Sequence, residues 1–147
     1  MMPRLSTAEL SQRALQYAIY VTDAPCDFIL GTETKPYMGG ECSIFVFKTR
    51  GSDICIRLRH TPCTSTSYTV KVEAQNLSLI ASAEIPRLPK LVGYSSDPST
   101  PYIALQWENG SSLQWTDSNP VLEARQDILL GLAQTILDLL QLQESGM

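Results

Sequence analysis

Histidine occurs once in the 147 residues, as His60, and none of the four cysteines (Cys26, Cys42, Cys55, Cys63) forms a C-x-x-C pair. A zinc centre needs several N or S ligands at short, regular spacing. No metal is therefore expected, and the cysteines read as buried, reduced thiols. Basic charge is scarce too. Eleven Lys and Arg against 15 Asp and Glu leave a net charge of -4 and a pI near 4.9. Proteins that neutralise nucleic-acid phosphates carry a basic excess, and the richest cluster here is only Lys48, Arg50, Arg57, Arg59 and His60. Nucleic acid is not an expected partner. No apolar run approaches the roughly 20 residues that span a bilayer, and MMPRLSTAELSQRAL has no signal-peptide core. The expectation is a cytoplasmic protein without a membrane partner. Asn76-Leu77-Ser78 and Asn109-Gly110-Ser111 fit the glycosylation pattern, which means nothing without secretion. Repeats and low-complexity segments are missing as well.

What remains is ordinary for a globular chain: 44% hydrophobic and 18% charged residues, enough length for one domain over 1–147. Ser6-Thr7-Ala8-Glu9 is a capping box. Leu10, Ala14, Tyr17, Ala18 and Val21 follow at helical spacing, so a helix occupies 1–24 and stops at Ala24-Pro25. Residues 26–38 are mixed, with a turn at Lys35-Pro36. Gly39-Gly40 introduces CSIFVF (42–47), a strand by its β-branched and aromatic content. After a turn at 49–52, DICIRLRH (53–60) alternates Ile54, Ile56 and Leu58 with Cys55, Arg57 and Arg59, giving a strand with one apolar face. The polar stretch 61–68 reads as a loop. Val70, Ala74, Leu77 and Ala81 predict a helix over 69–83, stopped by Pro86 and Pro89. Strands follow at 88–94 and 102–107, with a turn at 95–100. Asn119 as cap and Pro120 as first residue open a long helix, 119–143. The expected fold is α+β. A twisted antiparallel sheet of about four or five strands carries one packed helix within 39–113, flanked by an N-terminal and a long C-terminal helix.

The segments GGECSIFVFK (39–48), ICIR (54–57), VEAQNLSLI (72–80) and IPRLPKLVGYSSDPSTPYIALQWENGSSL (85–113), with the helix LLGLAQTILDLLQL, resemble the N-terminal lobe of the protein-kinase-like fold. They are closest in pattern to the aminoglycoside phosphotransferase (choline-kinase-like) family of fungal type, from about residue 39 onward. The resemblance implies that Ile54-Cys55-Ile56-Arg57 stands where kinases have V-A-I-K. Cys55 would pack against a base and Arg57 would reach the phosphates, with Glu73 of the following helix as its ion-pair partner. Gly39 and Gly40 would open the loop over the phosphates, and the backbone of Gln106, Trp107 and Glu108 would meet an adenine. Arginine departs from the usual lysine. It keeps the charge and adds a bidentate fork, with a different reach.

The family's catalytic loop, H-G-D-x-x-x-x-N, and its later magnesium aspartate have no counterpart in the 147 residues. The one histidine is followed by Thr61-Pro62. Phosphoryl transfer depends on that base and those metal ligands, so the chain alone is not expected to be a phosphotransferase. No cofactor is expected, and ATP with magnesium would matter only if a catalytic lobe came from elsewhere. The expectation is a truncated, catalytically incomplete binding or regulatory module with a degenerate nucleotide site. The alternative is a small cofactor-independent enzyme that cyclises or isomerises an apolar metabolite, with Arg57, Glu73 and His60 as candidate catalytic groups. A gene product continuing beyond Met147 is a third reading. Plainer roles stand beside each: Arg57, Arg59 and Glu73 as solvated surface charges, His60 as a turn residue, Cys55 as an inert buried thiol, Trp107 and Trp115 as packing. The wide apolar stripe of the last helix suggests an interface through Leu132, Ile136 and Leu139, for a homodimer or another protein partner.

Overall fold

The computed structural model describes residues 3–110 and 113–145. Among them are three helices and one open, antiparallel six-stranded sheet, an α+β architecture. Two compact units emerge. One runs from the N-terminal segment to Ser78 and resumes over Pro89–Glu108; the other comprises Leu79–Leu88 and the chain from Asn109.

In the first unit, α1 (Thr7–Thr22) starts at the Ser6 capping box, with Glu9 N donating to Ser6 Oγ at 3.2 Å. It ends at Asp23 in the left-handed region. Leu10, Ala14 and Ala18, one face of the helix, are buried. The stretch that reads as mixed in sequence contains two short strands, β1 (Asp27–Phe28) and β2 (Tyr37–Met38), both paired to the long β3 (Cys42–Lys48). They add to the four or five strands expected. They were not foreseeable because two residues carry no alternation.

Thr32, fully buried, fills the gap between them. Its hydroxyl accepts from Val46 N at 3.0 Å and donates to Ile29 O at 2.9 Å. A side chain thus satisfies a strand amide that no neighbouring strand reaches.

β3 and β4 (Ile54–Arg59) form the expected hairpin, with Phe45 opposite Ile56. β6 (Tyr102–Gln106) pairs with β4, and β5 (Leu91–Ser95) closes the far edge, with a bulge between Leu91 and Gly93. The order is therefore β1-β3-β4-β6-β5, with β2 also on β3. On one face Phe45, Phe47, Ile54, Ile56, Leu58, Tyr102 and Ala104 pack with Leu10, Ala14 and Ala18 of α1 in one core. Tyr17 of α1 stacks on Tyr102, centroids 4.3 Å apart. The expectation that β4 has a single apolar face needs correction, because Cys55 is buried as well.

α2 is Thr64–Ser82, so it begins inside the stretch expected to be a polar loop. The run TSTSY has no apolar periodicity, but Cys63 O accepts from Ser67 N at 3.0 Å and Thr66 Oγ1 accepts from Cys63 N at 3.0 Å. Hydroxyl and carbonyl caps thus start the helix five residues early. Its buried side chains are Ser67, Val70 and Ala74.

In the second unit, α3 is Leu122–Ser145. Pro120 is not its first residue and Asn119 is not its cap, because the helix begins only at Leu122. The start is instead tied by Arg125, whose Nε donates to Pro120 O at 2.6 Å and whose Nη2 donates to Asn119 O at 3.0 Å and to Thr116 O. The same guanidinium lies 4.9 Å from the ring centroid of Trp115, which is itself exposed.

Candidate functional site

Alternation along β4 sends Arg57 to the face opposite the α1 core. There, Glu73 projects from the middle of α2, three residues after Val70 and next to Ala74, both buried. Arg57 Nη2 lies 2.5 Å from Glu73 Oε1, and the two side chains keep 26% and 36% of their surface exposed. Contact is close, but no N–H of that nitrogen is directed at an acceptor, and the atom itself is buried. The carboxylate holds the guanidinium chiefly by charge. An ion pair this exposed adds only about 0–1 kcal/mol to stability.

Cys55, two residues earlier on the same face, is 6% exposed. Burial raises its pKa, partly countered by the backbone of Leu105 and the charge of Arg57, so it stays a thiol and is a poor nucleophile.

Gly39 and Gly40 sit at the β2–β3 connection, where Gly39 N donates to Cys42 O at 3.0 Å. Neither glycine has a positive φ, and a Cβ at either would meet nothing within 4 Å. The turn does not need glycine, so the surface above it is open. Tyr37, just before the pair, stacks on Trp107 with centroids 5.6 Å apart. This brings the glycine turn alongside the segment Gln106-Trp107-Glu108. In that segment Gln106 N donates to Lys90 O at 2.8 Å and Trp107 N to Asp53 O at 2.9 Å. Two of the three amides expected to face a base are thus engaged within the protein, and Glu108 is exposed.

The structure does not bring His60 to the Arg57–Glu73 pair. His60 is 3% exposed, with its Nε2 2.8 Å from Ser43 Oγ, and alternation puts it on the opposite side of the strand from Arg57. It is not the polar turn residue expected. Burial lowers its pKa, helped by the charge of Arg4; the carbonyls of Gly40 and Cys42 act the other way. Nδ1 is closed off from solvent on the side of these carbonyls. Arg59, also read from sequence, pairs with Glu41 at 2.8 Å.

A comparison with family models, curated proteins and solved structures finds no match. Among the described residues no group of three or more His, Cys, Asp or Glu is placed to hold a metal ion, and no helix is long and apolar enough to cross a membrane.

A second constellation lies where Arg4, Glu41, Arg59, His60, Cys63 and Thr66 line a cavity of about 280 Å³. Sequence reasoning missed Arg4 and Cys63 here. The expectation that all four thiols are buried holds for Cys26 and Cys55, whereas Cys42 and Cys63 are half-buried. The one signal for Cys63 in the sequence is its place before a run of Ser and Thr, legible only once α2 is known to begin at Thr64.

Proposed function

We propose that this chain is a nucleotide-binding or regulatory module resembling the N-terminal lobe of the aminoglycoside phosphotransferase family. In this reading Arg57 meets the phosphates and Glu73 holds it in place. The Arg57–Glu73 contact carries the proposal: an arginine on the central strand is matched by a glutamate on the next helix, as phosphate-binding lysine and helix glutamate are matched in kinases. The pair adds little to stability, so a ligand role accounts for it better than a structural one. A glycine pair that the turn does not require leaves room for phosphates to approach the backbone. The amides of Gln106 and Trp107 already have partners, so the base is held less specifically than the phosphates, and the site is degenerate in that sense. The described residues offer no metal cluster and the sequence no H-G-D motif, so the proposed role is binding, with any phosphoryl transfer left to groups outside these residues.

The test is a titration with a fluorescent ADP analogue, wild type against Arg57→Gln. Loss of a charge-assisted contact of about 1.5–3 kcal/mol weakens binding roughly 10- to 100-fold. Equal affinity of the two proteins, or no binding by either, would sink the proposal.

We also propose that α3 pairs with α3 of a second copy. Leu122, Leu129 and Ile136 recur every seven residues with Leu132 between them, and all four are exposed. That is the spacing by which helices form a seam.

A further inference from the structure

Tyr17 and Tyr20 lie three residues apart on α1, so they share a face of the helix. Tyr17 is stacked on Tyr102 of β6, whereas Tyr20 is 80% exposed. With Gln16, Asp97 and Thr100, these three tyrosines line a cleft of about 510 Å³ between α1 and the turn from β5 to β6. Small-molecule sites span roughly 300–1,000 Å³. The turn is fastened to the helix, because Arg13 Nη1 donates to Ser99 O at 3.2 Å. Ser99 donates from its amide and its hydroxyl to Asp97 Oδ1, at 2.9 and 2.7 Å. Both bonds end on one carboxylate oxygen, so Oδ2 keeps its lone pairs for a guest. Tyr102 points most directly to a ligand. It is only 4% exposed, yet its hydroxyl has no hydrogen-bond partner among the described residues and is not closed off from solvent. Burial raises its pKa, with Tyr20 and Tyr17 adding to the rise and no hydrogen bond contributing. A buried phenol normally has a partner; this one opens on the cleft that it lines.

The chemistry of the lining selects the class of guest. Phenols and the Gln16 amide both donate and accept, and the Asp97 carboxylate accepts. Arg13 and Asp97, joined through Ser99, carry opposite charges that offset one another, so the cleft favours neither a cation nor an anion. The exposed Tyr20 ring presents a negative face, which attracts the positively polarised C–H bonds of a flat partner. A guest that matches has a C–H face, a rim of hydroxyls and no charge. We infer that this cleft binds a neutral saccharide, with a pyranose ring laid on Tyr20 and its hydroxyls bonded to Tyr102, Gln16 and Asp97. The site is independent of Arg57 and Glu73, neither of which lines it.

The experiment titrates the full chain with cellobiose, maltose and diacetylchitobiose, each up to about 10 mM, and follows backbone amides by NMR. Chitobiose, the cationic counterpart of diacetylchitobiose, and cellobiouronic acid, the anionic counterpart of cellobiose, test the role of charge. The expected result is saturable binding of at least one neutral disaccharide, with shifts in the amides of 16–20 and 94–102 and weaker binding of its charged counterpart. Tyr102→Phe keeps the ring and removes only the hydroxyl; it should weaken binding roughly 2- to 12-fold, the worth of one hydrogen bond. Tyr20→Ala, at an exposed position, should weaken it at least as much with circular dichroism unchanged. Arg57→Gln should leave it unaltered. No binding of any neutral disaccharide, equal affinity of wild type and Tyr102→Phe, or tighter binding of the charged sugars would overturn the inference.

Discussion

His60 illustrates how a single residue acquires meaning from its surroundings. In the sequence it follows a strand and precedes Thr-Pro, a position suited to a solvated turn. In the fold it is buried against Ser43. Its pKa is lowered, first by burial and then by Arg4, so the unfolded chain takes up a proton at higher pH than the folded one. Stability is complete above the ordinary histidine value of about 6.5, falls as pH drops through it, and levels off only below the lower folded value. Urea unfolding from pH 8 to pH 5 should show this decline, and His60→Gln should reduce it. As the chain has one histidine, an unchanged profile would exclude His60 as its source. Arg57 behaves in the opposite way. Alternation put Arg57 on the face away from the apolar side of its strand, and its pairing with Glu73 was implied by the resemblance to the kinase-like lobe. What alternation could not give is the 2.5 Å approach of Nη2 to Glu73 Oε1, a distance between separate elements.

At the scale of elements, regular periodicity was read well and irregular segments badly. α1, the β3–β4 hairpin and the β5–β6 pair lie close to where patterning puts them, because each exposes one apolar face to a partner. The early start of α2, the two-residue β1 and β2, and the late start of α3 were hidden. Each depends on local hydrogen bonds rather than on a hydrophobic pattern. Thr32 shows the size of such an effect. Thr32→Val keeps the shape but removes the acceptor for Val46 N and the donor to Ile29 O. An unsatisfied buried amide costs about 1–3 kcal/mol. Chemical denaturation should show a loss in that range, with faster exchange at the Val46 amide. A neutral substitution would mean that water replaces the hydroxyl there.

For the whole molecule, the open question is what covers α3. Leu132 and Ile136 are exposed, while Leu139, named with them from the sequence, is half-buried. Changing Leu132, Ile136 and Leu139 together to glutamine should convert a dimer to a monomer in light scattering while the sheet signal in circular dichroism persists. If the wild type is already monomeric, or if the variant keeps the wild-type mass, α3 is not a self-association surface. Leu139→Gln alone separates a buried role from an interface role. It lowers stability without changing mass if Leu139 only packs within its own unit.

By itself the sequence determined the α+β class, the hairpin, the long terminal helices and the face of β4 from which Arg57 projects, while its pairing with Glu73 was implied by the family resemblance. Period two and period three-to-four are properties of the backbone, and they place side chains on faces before any packing occurs. Only the tertiary structure decided that His60 is buried away from that pair. It also decided that the amides of Gln106 and Trp107 are already bonded, and that Cys63 caps a helix beside two arginines. These are distances between segments far apart in the chain, set by how the sheet pairs and which end of α2 it meets. No local pattern records them.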